Sequence, residues 1–243
     1  MGVPENNVAV DLYTDGKYMQ DHPTWHLEDA PIKAGNMMPG LRAIIGKLKK
    51  DVIRIADVGA GVGGVGMQLK KLAEAEFPNV KVALEAFEIS ADAAKKAREL
   101  FPDLVVHQKF LEKSDGPFDA LVLADVLEHL ENPWELLRIS RAASSHLLIN
   151  QPLLESYGTF RQKGYKLQRD QWGHIAFFNY RSFNDMALAT GWQPLCTSLL
   201  APWEHFGSKT KGSFIKRIFV NRARVTSSFF ISGFYLTGAF EGI

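Results

Sequence analysis

The chain has 243 residues, long enough for one large domain with a sizeable core. Apolar residues make up 46% and charged residues 23%, a globular balance, and the net charge of +1 argues against a general nucleic-acid binder. The single cysteine, Cys196, excludes an intramolecular disulfide and is expected as a buried strand residue in a reducing compartment. No run of ~20 apolar residues offers a transmembrane helix. Met1 to Asn6 lack the apolar core of a signal peptide, so a cytoplasmic protein is expected.

In chain order, residues 1–50 read as a polar, aromatic-containing lead-in that ends in a helix near Pro39–Lys50. Tyr13, Tyr18, Trp25 and His26 cluster within it. Val52–Val58 is an apolar strand that reaches Asp57 and breaks into Gly59-Ala60-Gly61-Val62-Gly63-Gly64, and a helical pattern over Val65–Phe77 follows at once. Strand, tight loop and helix N-terminus form the usual cradle for a nucleotide-like cofactor. Two readings fit the glycines. Gly59, Gly61 and Gly64 match the dinucleotide spacing G-x-G-x-x-G. Asp57, Gly59, Gly61 and Gly63 match D-x-G-x-G-x-G. The acid separates them, because a carboxylate at the strand tip repels a diphosphate and suits a cationic cofactor.

A second strand over 82–88 ends in Glu88, where an acid can accept hydrogen bonds from ribose hydroxyls. Ser90 caps a helix with Ala94, Ala97 and Phe101 on one face. Strands are expected near 104–107 and 119–124, a helix over Pro133–Ala143 with proline in its first turn, and a fifth strand at His146–Asn150. Residues 151–180 form a long insertion. Ser182 is expected to cap a helix that stops at Gly191, and strands near 193–200 and 228–240 close the chain. Alternating strands and helices imply a mostly parallel sheet covered on both faces, an α/β Rossmann-like fold.

The segment Gly116-Pro117-Phe118-Asp119-Ala120-Leu121-Val122-Leu123-Ala124-Asp125-Val126-Leu127-Glu128-His129-Leu130 closely resembles the fourth-strand region of class I S-adenosylmethionine-dependent methyltransferases. With the glycine loop, the ribose acid and the later "GW", the resemblance spans about residues 52–193. More narrowly it is similar to bacterial small-molecule methyltransferases of the quinone-pathway and polysaccharide-associated kinds. It implies a seven-stranded sheet with the last strand antiparallel, a role suited to Phe229–Leu236. It implies two regions, a helical lid over 1–50 and a cofactor-binding methyltransferase domain over 51–243 with an acceptor-side insertion at 151–180. It implies S-adenosylmethionine as cofactor, held by Asp57, Gly59, Ala60, Gly61, Gly63, Glu88, Ile89, Asp125, Val126 and His129. The acid usual after the third strand is replaced by Lys109, which leaves Gln108 and Phe110 as the adenine contacts.

Methyl transfer needs the acceptor in line with the methyl group, and a base helps. His174, in Trp172-Gly173-His174-Ile175-Ala176-Phe177-Phe178, is the first candidate, because the resemblance places a "GH…FF" element at the acceptor pocket. His129 is its rival. Acceptor contacts are expected from Tyr18, Trp25, His26, Asn150, Trp172 and His174. The lead-in aromatics serve either as a lid or as a helix packed on the sheet. Some quinone-type relatives link the acid–histidine pair to a divalent metal, which Glu128, Glu131 and His129 could in principle hold, but no compact metal signature is present and no metal is expected.

Lys209, Lys211, Lys216, Arg217, Arg222 and Arg224 lie between His205 and Phe240 with no acid among them. They suit either an anionic small-molecule acceptor or a solvated face. Arg222 and Arg224 before an aromatic run also allow membrane-surface contact, though a core strand is the commoner home for such a run. The expected activity is methylation of a small molecule at a hydroxyl, with nitrogen and carbon acceptors open. An NAD(P)-dependent oxidoreductase and a non-catalytic cofactor-binding protein are the other readings.

Overall fold

A computed structural model describes residues 24–25, 27–162, 164–206 and 214–243, without the side chains of 214–216 and 219. Tyr13, Tyr18, His26, Lys209 and Lys211 lie outside the described residues, as does the Lys216 side chain.

Seven strands form one sheet in the order β3-β2-β1-β4-β5-β7-β6. They are β1 Val52–Val58, β2 Lys81–Phe87, β3 Val105–His107, β4 Ala120–Ala124, β5 His146–Leu153, β6 Trp192–Leu200 and β7 Phe234–Gly242. The first five pair in parallel, and β7 runs antiparallel between β5 and β6. This is the expected topology. The ten helices among the described residues are α1 Ala30–Leu48, α2 Gly64–Glu76, α3 Ala91–Leu100, α4 Pro133–Ala143, α5 Tyr157–Arg161, α6 Gly164–Trp172, α7 Tyr180–Ala189, α8 Pro202–His205, α9 Phe214–Arg222 and α10 Arg224–Phe230. None of the described helices is long and apolar enough to cross a membrane.

Both faces of the sheet are buried, and strand alternation assigns the side chains. On β1 and β4, Ile53, Ile55, Ala120 and Val122 enter the core under α1 and α2, whereas Ala56, Val58, Leu121 and Leu123 enter the core under α4 and α7. The ends of β1 and β4 therefore emerge rigidly at one edge, where the site forms.

Four local expectations are corrected. The first helix starts at Ala30, with Pro39 inside it. An interior proline costs ~3 kcal/mol, but α1 buries Ala34, Met37, Met38, Leu41, Ile44 and Ile45, worth ~1.5–3 kcal/mol for each of the larger chains. At Gly40 an added Cβ would stand 2.6 Å from the Ala239 backbone nitrogen, so α1 lies directly on β7. The cap of α7 is Asn179, whose Oδ1 accepts from Arg181 N and Ser182 N, while Ser182 Oγ accepts from Asn179 N in return. The last strand begins at Phe234, because Ser227 and Ser228 donate their hydroxyls to Ala223 O and Val225 O and stay in α10. Cys196 is in β6 as expected but only half-buried.

Candidate active site

The glycine loop shows which of the two spacings the backbone uses. Gly59, Gly61 and Gly63 have φ of 66°, 55° and 81°, the left-handed region that glycine enters without steric cost. Gly64 does not, and opens α2. The conformation thus follows D-x-G-x-G-x-G. Gly59 N and Ala60 N donate to Phe87 O at 2.8 and 3.2 Å, which ties the loop to the end of β2. A Cβ on Gly59 would stand 2.9 Å from a Val126 methyl, so Val126 closes the loop from the β4 side.

Asp57 is buried, and its Oδ2 accepts from Gly66 N at 3.0 Å. Burial raises its pKa to about 7. Its carboxyl thus anchors the first turn of α2. Gly66, which the sequence reading did not single out, is required there: a Cβ would lie 2.6 Å from that carboxylate oxygen. Glu88, also buried, accepts from Gly61 N and Ser90 N, both at 2.7 Å. Burial raises its pKa too. Ile89, half-buried, turns its backbone N–H to the same carboxylate. Gln108 and Phe110 follow β3 on the surface, and Lys109 pairs with Asp115 at 2.7 Å and Glu112 at 3.3 Å. Trp25 rests on the glycine loop, its ring 3.6 Å from where a Gly61 Cβ would be.

The ends of β4, β5 and β7 carry a second polar group. Asp125 has φ 56° and turns its carboxylate toward Lys33 of α1, 2.7 Å away, and toward Asn150 Nδ2, also at 2.7 Å. The ammonium of Lys33 holds Asp125 below the usual carboxylate range against its burial. A single-turn helix, Leu127–His129, comes next. The Glu128 backbone carbonyl accepts from Ile175 N and Ala176 N at 2.8 and 2.9 Å, which clamps the His174 loop onto this turn. His129 and His174 meet edge to face, with ring centroids 4.8 Å apart.

Gly173 O accepts from His129 Nδ1 at 3.3 Å, so the proton of the neutral ring sits on Nδ1. Burial depresses His129 to about 3 and His174 to about 4. Burial and the nearby Asp125 push Glu128 well above the usual range. Both rings are therefore neutral near pH 7. Glu128 Oε2 accepts from Gln151 Nε2 at 3.1 Å.

Three residues missed in the sequence as site candidates, His205, Tyr235 and Asn36, complete this side. His205 stacks on Tyr235 with centroids 3.6 Å apart and parallel planes. Asn36 Nδ2 donates to His205 O at 3.3 Å and to His205 Nδ1 at 3.1 Å. A carbonyl can only accept, so the amide orientation is set and the His205 proton resides on Nε2. Among the described residues, Glu128 Oε1, Asn150 Oδ1, His174 Nδ1 and His205 Nε2 are buried with no hydrogen-bond partner. Trp172 ends α6 just before this cluster. Glu128, His129 and His174 could each offer a metal one ligand atom, all within 4.8 Å of one another; Glu131 is exposed and outside that group. Arg224, one of the basic residues read either as facing an anionic acceptor or as part of a solvated face, is paired with Glu204 at 2.5 Å.

Residues 34–197 match the family model described as "Methyltransferase domain". No curated protein matches the sequence at a significant level. Among solved structures, the chain is similar to the plantazolicin methyltransferase BpumL in complex with S-adenosylhomocysteine (12% identity, TM-score 0.63), covering 98% of this chain and 95% of that one. It is similar to a candidate sarcosine dimethylglycine methyltransferase from Galdieria sulphuraria (16% identity, TM-score 0.54, covering 82% and 83%). It is also similar to the YcgJ protein from Bacillus subtilis (13% identity, TM-score 0.50, covering 82% and 96%).

Proposed function

This chain belongs to the methyltransferase domain family, and we propose that it methylates a hydroxyl of a small-molecule acceptor with His174 as the base. It is an S-adenosylmethionine-dependent methyltransferase. The left-handed glycines and the strand-end acid Glu88 fit an adenosine and a methionine chain without a diphosphate. When bound, the cofactor supplies a methyl group already activated on a sulfonium. Of the lead-in, Trp25 lies on the glycine loop and Lys33 pairs with Asp125, which supports reading 1–50 as the lid and 51–243 as the catalytic domain with its acceptor-side insertion at 151–180.

The observation that carries the acceptor reading is the Nδ1 of His174, buried beside His129 with no hydrogen-bond partner among the described residues. A neutral imidazole there can take the hydroxyl proton as the oxygen attacks, and the negative field of Asp125 steadies the imidazolium that results. Asn150 and Trp172 orient the acceptor. Orientation supplies roughly 7–11 kcal/mol of the barrier, and the base a further ~10²–10⁴-fold.

The test uses labelled S-adenosylmethionine with a panel of hydroxylated, aminated and carbon-nucleophile acceptors, alongside calorimetry with S-adenosylhomocysteine. Label on oxygen, lost in His174→Ala with S-adenosylhomocysteine affinity unchanged, is the expected result. Label on nitrogen or carbon would overturn the hydroxyl reading.

A further inference from the structure

The aromatic run expected in the last strand instead ends a surface helix, and Phe230 on α10 is 57% exposed. Two more aromatics lie on α5. Tyr157 and Phe160 are 58% and 68% exposed, three residues apart, and so share a helix face. A cavity of about 460 Å³ gathers Tyr157, Arg161, Phe230 and Ser232 into one surface. The Thr159 hydroxyl donates to Ser232 Oγ at 2.8 Å and fastens α5 to the turn between α10 and β7, so the rings keep their relative places. Single exposed apolar side chains are normal, but a fixed group of large aromatics facing water marks a contact surface.

Charge identifies the partner. From Glu155 to Phe230 the chain carries eleven Lys and Arg against four Asp and Glu, whereas the whole chain has 28 against 27. The basic excess therefore belongs to this segment and is offset by an acidic excess elsewhere. Arg161, at the rim of the cavity, and Arg222, on the helix adjoining α10, are exposed. A second copy of the same basic surface would be repelled. Aromatic rings set among arginines match a bilayer with anionic headgroups: the rings sit at headgroup depth and the cations meet lipid phosphates.

We propose that α5 and α10 form a docking surface for an anionic lipid bilayer. The surface is joined to the candidate pocket by two short connections, since α6 runs from α5 to Trp172 and His174, and α10 leads into β7 and Tyr235. Docking stands independently of which residue is the base. The expectation that the aromatic run belongs to a core strand fails here because the run is divided: its second half, from Phe234, enters the sheet, and its first half does not.

The experiment is co-sedimentation of the full chain with vesicles of phosphatidylcholine alone and with about one third phosphatidylglycerol. Binding to the anionic vesicles at least ~10-fold tighter than to the neutral ones is expected. Arg161→Glu should weaken it by roughly 25-fold, and Phe160→Ser with Phe230→Ser by ~10-fold or more. Unchanged thermal unfolding and S-adenosylhomocysteine affinity show that the variants are folded. If one is not, about 0.5 M salt applied to the unaltered protein must release it from the vesicles. Equal binding to neutral vesicles, binding to neither kind, or binding unaffected by these changes would overturn the proposal. Concentration-dependent dimerisation lost in the same variants would assign the patch to a second copy instead.

Discussion

The two halves of the sheet treat their buried polar groups in opposite ways. On the β1–β3 side, the Asp57 and Glu88 carboxylates are met by backbone N–H groups of Gly66, Gly61 and Ser90, all within nine residues or across one strand pair. On the β4–β7 side, Glu128 Oε1, Asn150 Oδ1, His174 Nδ1 and His205 Nε2 are buried with no hydrogen-bond partner among the described residues. A buried polar atom left without a partner costs ~1–3 kcal/mol. The side proposed for the cofactor is thus paired within itself, and the side proposed for the acceptor keeps, among the described residues, hydrogen-bonding capacity for a ligand. A ligand that answers those atoms regains their cost on binding, which favours a polar acceptor.

This contrast can be broken or sharpened by substitution. The largest effect is expected in His174→Ala, a loss of ~10²–10⁴-fold in kcat with little change in S-adenosylhomocysteine Kd; parallel losses in both would move His174 to the cofactor half. Next is Lys33→Met, which leaves the half-buried Asp125 without its counter-charge and should cost about 1–3 kcal/mol in urea unfolding. Adding Asp125→Asn should recover most of it. Glu88→Ala should raise the S-adenosylhomocysteine Kd roughly 10–100-fold in calorimetry, the weight of a charged hydrogen-bonding group.

A smaller effect concerns pH. Burial holds His205 at about 4 in the folded chain, below the ~6.5 of an unfolded histidine. The unfolded state therefore binds more protons between these values. The stability that His205 contributes is complete above about pH 6.5 and is lost as pH falls toward about 4. His205→Gln should flatten that part of the stability profile, as read by thermal unfolding. The smallest is Phe110→Ala. Because the ring is 46% exposed, S-adenosylhomocysteine affinity should change by less than about threefold, within the usual range for surface substitutions. A loss as large as that in Glu88→Ala would show that the adenine rests on Phe110.

Much of the fold is legible because its signals are local. Each strand is a short apolar run, and glycine, proline or a capping side chain marks most boundaries, as at Ser90 and Pro133. The exceptions are places where packing overrides the local signal. Pro39 lies inside α1 because one helix face is buried on the sheet, and Phe229 and Phe230 stay helical although their composition suits a strand. The cofactor loop is equally legible, since positive φ at Gly59, Gly61 and Gly63 follows from residue type.

By itself, the sequence determined the class of sheet, the glycine cradle and its two acids, because contacts close in the chain or set by strand pairing make them. Only the tertiary structure decided that Lys33 meets Asp125, that His129 meets His174, and that Asn36 sets the tautomer of His205 from 169 residues away. No spacing rule reaches across such separations. The partners come together only when α1, the loop before α7 and the turn after β6 converge on the ends of β4, β5 and β7, and burial there sets their protonation.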